Sequence, residues 1–414
     1  MVLHEKGAKM EKYIVLRHHH AAGAADGDAA MTLAIQGSAG EERTISISTP
    51  ELSKGEAAQL AMQSDTLIAP AMPLQLIDPV ATPEATYDDA PSGVAWGLSA
   101  IGADVSPFDG HGVRVGILDT GIDINHECFL GVKLMTKDYT GEGIADTKGH
   151  GTHCAATIFG RDVDGIRVGV ARGVTDVFIG KTLGNAGGDS GMLVHAINDA
   201  VDHGCSVISM SLGFDYTSVT KRLHEDGGLP LDLATAVALH RYRANTRMFD
   251  RLGAMLTARP ATGQHEVLLI AASGNSSRRN VNPTYEMPVM PPSEADEFVS
   301  VGAVGRDSSG HFFVAPFSNI NCTVCGPGVA VLSAQAGTLR GLVTKSGTSM
   351  AAPHVAGVAA LHIQAGRAAI SKASRFQMGP VFKARLLKGT SLVNFPPSVD
   401  ERHIGQGLVL APLK

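Results

Sequence analysis

From about Val94 onward the chain alternates helical stretches with short, unbroken apolar runs, among them Val113–Leu118, Val177–Lys181, Val207–Met210, Val267–Ala272 and Phe298–Val304. A strand with one wet face alternates apolar and polar side chains, whereas a strand apolar at nearly every position is covered on both faces. These runs therefore predict an α/β domain over residues 91–414, built on a mostly parallel central sheet with right-handed helical crossovers. In such sheets functional groups collect at the carboxyl ends of the strands. The 414 residues are 44% hydrophobic, enough for one large core with room for a smaller unit. With 48 glycines and only 5% aromatic residues, tight turns and close helix–sheet packing are favoured over a solenoid or coiled coil.

Residues 1–90 have a different texture. Lys12–Arg17, Met31–Ile35 and Arg43–Ser48 read as strands, Glu51–Gln63 as a helix and Thr66–Ile77 as extended chain, which together make a small α+β unit. His18–His20 read as an exposed loop. Asp78–Gly93, acidic and rich in turn residues, reads as an exposed linker open to cleavage. A second irregularity lies at about 214–266, longer than a simple crossover needs, where Leu231–Arg259 reads as a helix carrying Leu233, Val237, Leu252 and Met255. It is either a packed surface insertion or an element that gates a cleft.

Several classes of function are disfavoured. The charge of −6, from 34 basic and 40 acidic residues, is mild and evenly spread, so no nucleic-acid partner is expected. Val267–Ala272 is too short to span a bilayer, and Met350–Ala365 is interrupted by Pro353 and His354, so no membrane partner is expected either. Met1–Arg17 carries charges every few positions and lacks the apolar core of a secretory signal. Cys128, Cys154, Cys205, Cys322 and Cys325 are an odd and sparse set, which suits a reducing compartment. The expectation is a cytoplasmic protein, unless a leader has been removed.

Three clusters carry chemistry. The run Val113–Leu118 leads directly into Asp119-Thr120-Gly121, placing a carboxylate at a strand's end, where a plain turn cap is the other reading. In Gly149-His150-Gly151-Thr152-His153, a histidine flanked by glycines stands near a helix start and suits general-base work. His150 and His153 could share a face around zinc, but no third ligand or zincin glutamate is near. In Ser346-Gly347-Thr348-Ser349-Met350-Ala351-Ala352-Pro353-His354, Ser349 opens an apolar helix whose small residues permit close packing, as nucleophile or as simple cap.

Asp, His and Ser in this order, each in its own glycine-rich frame, resemble the subtilisin-like serine proteases, the subtilases of peptidase family S8. The likeness covers roughly Val94 to Pro412, from Val115-Gly116-Ile117-Leu118-Asp119 to Gly405-Gln406-Gly407-Leu408. It implies a subtilisin-like three-layer fold and a serine endopeptidase of broad or moderate selectivity, acting on peptides or proteins through Asp119, His150 and Ser349. In Ala272-Ser273-Gly274-Asn275, the resemblance makes Asn275 the oxyanion donor together with the Ser349 backbone amide. It makes Ser209-Met210-Ser211-Leu212-Gly213 one wall of the substrate groove and Lys181-Thr182-Leu183-Gly184 with the glycines that follow the other, with Ala272 and Gly274 alongside, so that a peptide adds as a strand. The depth of the first pocket depends on Asn282–Asp296, which resembles nothing clearly.

The same resemblance implies no required cofactor. Calcium is not supported at the family's usual position, because Cys128 stands where a ligand is expected, although Asp162 and Asp164 form a second acidic loop. Cys154 reads as packing. Cys322 and Cys325 form a lone C-x-x-C, a structural loop in preference to zinc. Glu11–Leu16 resembles the opening strand of inhibitory prodomains. That implies intramolecular inhibition by the N-terminal unit, with Leu74–Gly93 threading toward the active site and being cut. The rival readings are a catalytically silent peptide-binding protein and a maturation protease with one substrate.

Overall fold

A computed structural model describes residues 10–20, 31–36, 42–80, 93–257, 267–369 and 379–414. Its centre is a ten-stranded sheet whose main path runs Thr390–Ser391, Leu408–Val409, Val324–Pro327, Phe298–Arg306, Leu268–Ala272, Val207–Met210, Val115–Asp119, Asp176–Lys181, Lys133–Asp138. All neighbours from Leu408–Val409 to Lys133–Asp138 are parallel. The apolar runs are the interior strands of this sheet. Lys133–Asp138 escaped the sequence reading because, as an exposed edge, it carries Lys133, Lys137 and Asp138 and has no continuous apolar run.

Successive side chains of a strand point to opposite faces, and here both faces are dry. Leu268, Ile270 and Ala272 enter one buried cluster with Ala155, Ile158, Val355 and Ala359, from helices His150–Phe159 and Thr348–Ala369. Leu269 and Ala271 enter a second, with Leu193 and Ile197 of helix Ser190–Asp202 and Phe249 and Leu252 of helix Leu231–Thr257. Helices thus cover the sheet on both sides, giving the expected three layers.

The N-terminal residues form an antiparallel sheet in which Glu11–His20 pairs with Glu42–Ser48 and with Thr66–Pro70, and Met31–Gln36 pairs with Glu42–Ser48. His18–His20, expected in a loop, continue the first strand and pair with Arg43–Ile45. The helix runs over Lys54–Ala61, its start fixed by a capping box between Ser53 and Glu56. Ile14, Leu16, Ile47 and Ala69 of this unit belong to the second cluster, so its apolar face is buried with helices Ser190–Asp202 and Leu231–Thr257. Polar ties flank that contact: Lys12 Nζ to Asp189 at 2.8 Å, Arg241 to Glu11 at 2.5 Å, and Asn245 Nδ2 donating to Pro70 O at 2.8 Å. Of the expected linker, residues 81–92 lie outside the described residues.

The long helix of the insertion is present as Leu231–Thr257; residues 258–266 lie outside the described residues. Leu252 and Met255 are buried, Val237 is half-buried and Leu233 is exposed. The fully buried Phe249 lies 5.6 Å from the Phe214 ring and 6.2 Å from the Phe298 ring. Among the described residues no helix is long and apolar enough to cross a membrane. Because Phe249 joins the insertion helix to the sheet, Phe249→Ala is expected to cost about 3–5 kcal/mol, read as a lowered denaturant midpoint; a loss under about 1 kcal/mol would mean that the insertion is not part of the core.

Candidate active site

Strand Val115–Asp119 delivers Asp119 at its carboxyl end, and helix His150–Phe159 begins at His150. Their close approach depends on Gly151: a Cβ there would lie 2.2 Å from the Gly121 carbonyl oxygen. His150 Nδ1 therefore reaches Asp119 Oδ1 at 2.7 Å, with both side chains only 1–2% exposed. Asp119 Oδ1 also accepts the Thr120 backbone N–H at 2.8 Å. Burial opposes the imidazolium form, but the adjoining Asp119 carboxylate favours it and His150 is raised well above its ordinary 6.5.

Asp146, which the sequence reading missed, fastens this pair. Its Oδ1 accepts from Thr120 Oγ1 and Gly149 N, both at 2.8 Å, and its Oδ2 from Thr152 N at 2.8 Å and Thr152 Oγ1 at 2.7 Å. Thr120 Oγ1 in turn accepts the Gly151 amide at 2.9 Å. One carboxylate thus binds the strand end that carries Asp119 to the first turn of the helix that carries His150, satisfying amides a helix start leaves open. The only signal in the sequence was its place four residues before His150.

Ser349 stands in the first turn of helix Thr348–Ala369. Pro353, inside that helix, has no N–H to give to the carbonyl four residues earlier, which is that of Ser349. The freed oxygen accepts instead from Ser211 Oγ at 3.2 Å and Cys154 Sγ at 3.3 Å, tying the serine's backbone to the groove wall and to the histidine helix. Burial raises Cys154's pKa, so it is a neutral thiol at this junction. Asn275 is oriented by Thr348, whose N–H and Oγ1 both donate to Asn275 Oδ1 at 2.9 Å.

The groove is filled by the chain itself. Strand Pro73–Leu76 lies antiparallel between Leu212–Phe214 and Gly188–Asp189. Leu76 faces Leu212, Gln75 faces Gly213 and Leu74 faces both Phe214 and Gly188. One step on, Ile77 N donates to Ser211 O at 3.5 Å and Ser349 Oγ donates to Ile77 O at 2.9 Å. Asn275 Nδ2 donates to the next carbonyl, Asp78 O, at 2.8 Å. Ser349 Oγ is thus turned to the peptide, and His150 Nε2 has no hydrogen-bond partner among the described residues.

Of the other expected groove residues, Ser211, Leu212 and Gly213 meet the peptide, while Ser209 and Met210 sit one step back in the central sheet. Gly184 closes a turn with Gly187, so the opposite wall is Gly188–Asp189; Leu183 is buried in the same cluster as Leu74. Ala272 ends its strand paired with Val301, and Gly274 N donates to Thr348 Oγ1 at 3.2 Å. Gly188 is one of the glycines expected to follow Gly184 in the wall, whereas Phe214 went unnoticed in the sequence because it acts through backbone pairing, which any residue type supplies.

Cys128 is buried, Asp162 pairs with Arg172 at 3.0 Å and Asp164 with Arg340 at 2.8 Å. His153 Nε2 contacts the carbonyls of Val331 and Val343 and does not face His150's partner. Among the described residues the one group with three ligating side chains close together is Asp119, His150 and Cys154. Cys322 and Cys325 are buried free thiols.

Comparison with known proteins gives the family. The chain is 32% identical over 289 residues to "Subtilisin-like protease 2" of Pseudogymnoascus destructans, covering 66% of this chain and 60% of that protein. It is 31% identical over 309 residues to "Intracellular serine protease" of Paenibacillus polymyxa, covering 72% and 79%. It thus spans less than two thirds of the fungal relative's length. Its fold is similar to the crystal structure of fervidolysin from Fervidobacterium pennivorans, a keratinolytic enzyme related to subtilisin, with a TM-score of 0.61 and 20% identity over 100% of this chain and 63% of that one. Since the Subtilase family profile matches residues 110–394, more than half of the chain, this protein belongs to the subtilase family.

Proposed function

We propose that the chain is a serine endopeptidase whose N-terminal unit is its own first substrate and its inhibitor. The observation that carries this reading is the hydroxyl of Ser349, 2.9 Å from the Ile77 carbonyl oxygen of an extended strand, beside the buried Asp119–His150 pair. Ser349 Oγ swings to His150 Nε2, gives it its proton and attacks the Ile77 carbonyl carbon. Asp119 holds the Nδ1 proton and stabilises the imidazolium. Asn275 Nδ2 shifts from Asp78 O to the adjacent Ile77 oxygen and, with the Ser349 amide, holds the developing oxyanion. His150 then protonates the departing Asp78 nitrogen, and water attacks the Ser349 ester, returning the hydroxyl and leaving a carboxylate on Ile77.

No cofactor enters this reading, and the partner is a peptide or protein, with neither nucleic acid nor membrane. Main-chain pairing on both walls supports broad to moderate selectivity, because it grips any extended sequence. The five buried free cysteines support residence in a reducing compartment. Asp146 is a positioning residue, fixing the separation of Asp119 from His150.

Intact-mass spectrometry with a fluorophosphonate probe tests the nucleophile: the wild-type chain, once cut after Ile77 and freed of its N-terminal unit, is expected to gain one adduct, and Ser349→Ala neither cuts nor labels. A chain freed of its N-terminal unit by an added protease that takes no adduct would turn the reading toward a silent peptide-binding protein. Because the base must be neutral, self-cleavage should fall about tenfold per pH unit below the His150 pKa, which lies above 6.5 in the covered groove. A rate constant flat from about pH 5 to about pH 9 would refute His150 as the base. In a Ser349→Ala background, Asp146→Ala strands the Gly149 and Thr152 amides and is expected to lose about 3 kcal/mol of unfolding free energy in a urea titration, with Asp146→Asn losing less.

A further inference from the structure

Resting on the peptidase reading, we infer that Met290 sets the residue accepted at the cut, restricting it to aliphatic side chains and turning aromatic ones away. The filled groove gives the register. Leu74 and Leu76 project to one side of the strand, into or against the second cluster, while Gln75 is exposed. Ile77 falls on the opposite side; it is buried, and belongs to the same cluster as Ala272. The Ile77 side chain therefore enters the space between the wall Ser211–Gly213 and the wall Ala272–Gly274.

Half-buried Met290, in the stretch whose sequence resembled nothing, reaches between those two walls. A Cβ on Gly213 would lie 2.5 Å from Met290 Sδ, and a Cβ on Gly274 would lie 2.9 Å from Met290 Cε. One thioether is thus in contact with both walls at once, and each wall is glycine where it touches. Its backbone is held from both sides as well: Met290 N donates to Ser273 O at 3.4 Å, and the next carbonyl, Pro291 O, accepts Phe214 N at 3.2 Å. Ser293 Oγ donates to Met290 O at 2.8 Å. A methionine side chain is adaptable, but here its backbone is hydrogen-bonded to both walls that its thioether touches.

The pocket is consequently shallow. An isoleucine or valine fits with its branches against the walls, whereas a phenyl ring needs the volume that Met290 fills, and overpacking of that kind is costly. The favoured substrate is an extended segment with an aliphatic residue before the scissile bond and, as at Leu74, an apolar residue three positions earlier.

A charge-neutral swap in the full chain tests this. Ile77→Phe is expected to slow self-cleavage at the 77–78 bond by at least about tenfold, and adding Met290→Ala is expected to recover most of that loss, each followed by intact mass. Ile77→Phe cut at the wild-type rate, or a double variant still slow while Met290→Ala alone cuts at Ile77, would overturn the inference. Should Met290→Ala not fold, the self-matured wild-type enzyme decides the matter with internally quenched peptides of the Pro73–Val80 sequence carrying Ile, Val or Phe at the cut. Preference for Ile and Val over Phe by about tenfold or more in kcat/KM supports it, and equal rates refute it. Absence of Ser349-dependent cleavage in every chain and peptide would refute the peptidase reading itself, a different failure from cleavage without preference.

Discussion

A carboxylate with 2% of its side chain exposed is costly to bury, and among the described residues Asp119 is held by two donors, the His150 ring and the Thr120 amide. Such a pair persists only if the surrounding backbone fixes both partners to within a few tenths of an ångström. The parallel sheet does this for Asp119, since its strand is hydrogen-bonded on both sides, to Val207–Met210 and to Asp176–Lys181. For His150 the work falls to Asp146 and to Gly151, the one supplying acceptors to the helix start and the other removing the Cβ that would push it off Gly121.

The serine is held by a different device. Pro353 deletes one helical hydrogen bond, a local cost, and the released Ser349 carbonyl becomes the anchor for Ser211 and Cys154. Three elements that carry separate parts of the site, the groove wall, the histidine helix and the serine helix, thereby meet at one oxygen. A proline within a helix is ordinarily read as a flaw, and at this position it is what allows the first turn to be cross-linked.

The sheet and the three clusters were legible in the sequence because each depends on residue type. A buried strand needs apolar side chains at every position, and a tight approach needs glycine at one defined place, as at Gly151. What stayed hidden depends on backbone or on distance in the chain. Phe214 pairs through main-chain groups, and Lys133–Asp138 is an edge strand with the polar composition of a loop. Asp146 looked like one more acidic loop residue, since its partners Thr120 and Thr152 are brought to it only by folding. His18–His20 misled in the opposite direction, a polar run that the sheet nonetheless continues through.

The N-terminal unit and the groove read one another through the same few contacts, and this sets a conflict that the fold resolves by area. On the proposed reading Leu74, Leu76 and Ile77 must fit well enough for Ser349 to reach the Ile77 carbonyl, yet a strand of that length gives up little binding energy once cut and free to leave. The larger surface lies elsewhere, where Ile14, Leu16, Ile47 and Ala69 share a cluster with the two helices behind the sheet and Lys12, Glu11 and Pro70 are tied to Asp189, Arg241 and Asn245. That surface is untouched by cleavage at Ile77. On the proposed reading inhibition outlasts the cut, because the tail at the groove is tethered to a body that remains docked, and the tail's effective concentration at the groove stays high until the body itself dissociates or is digested.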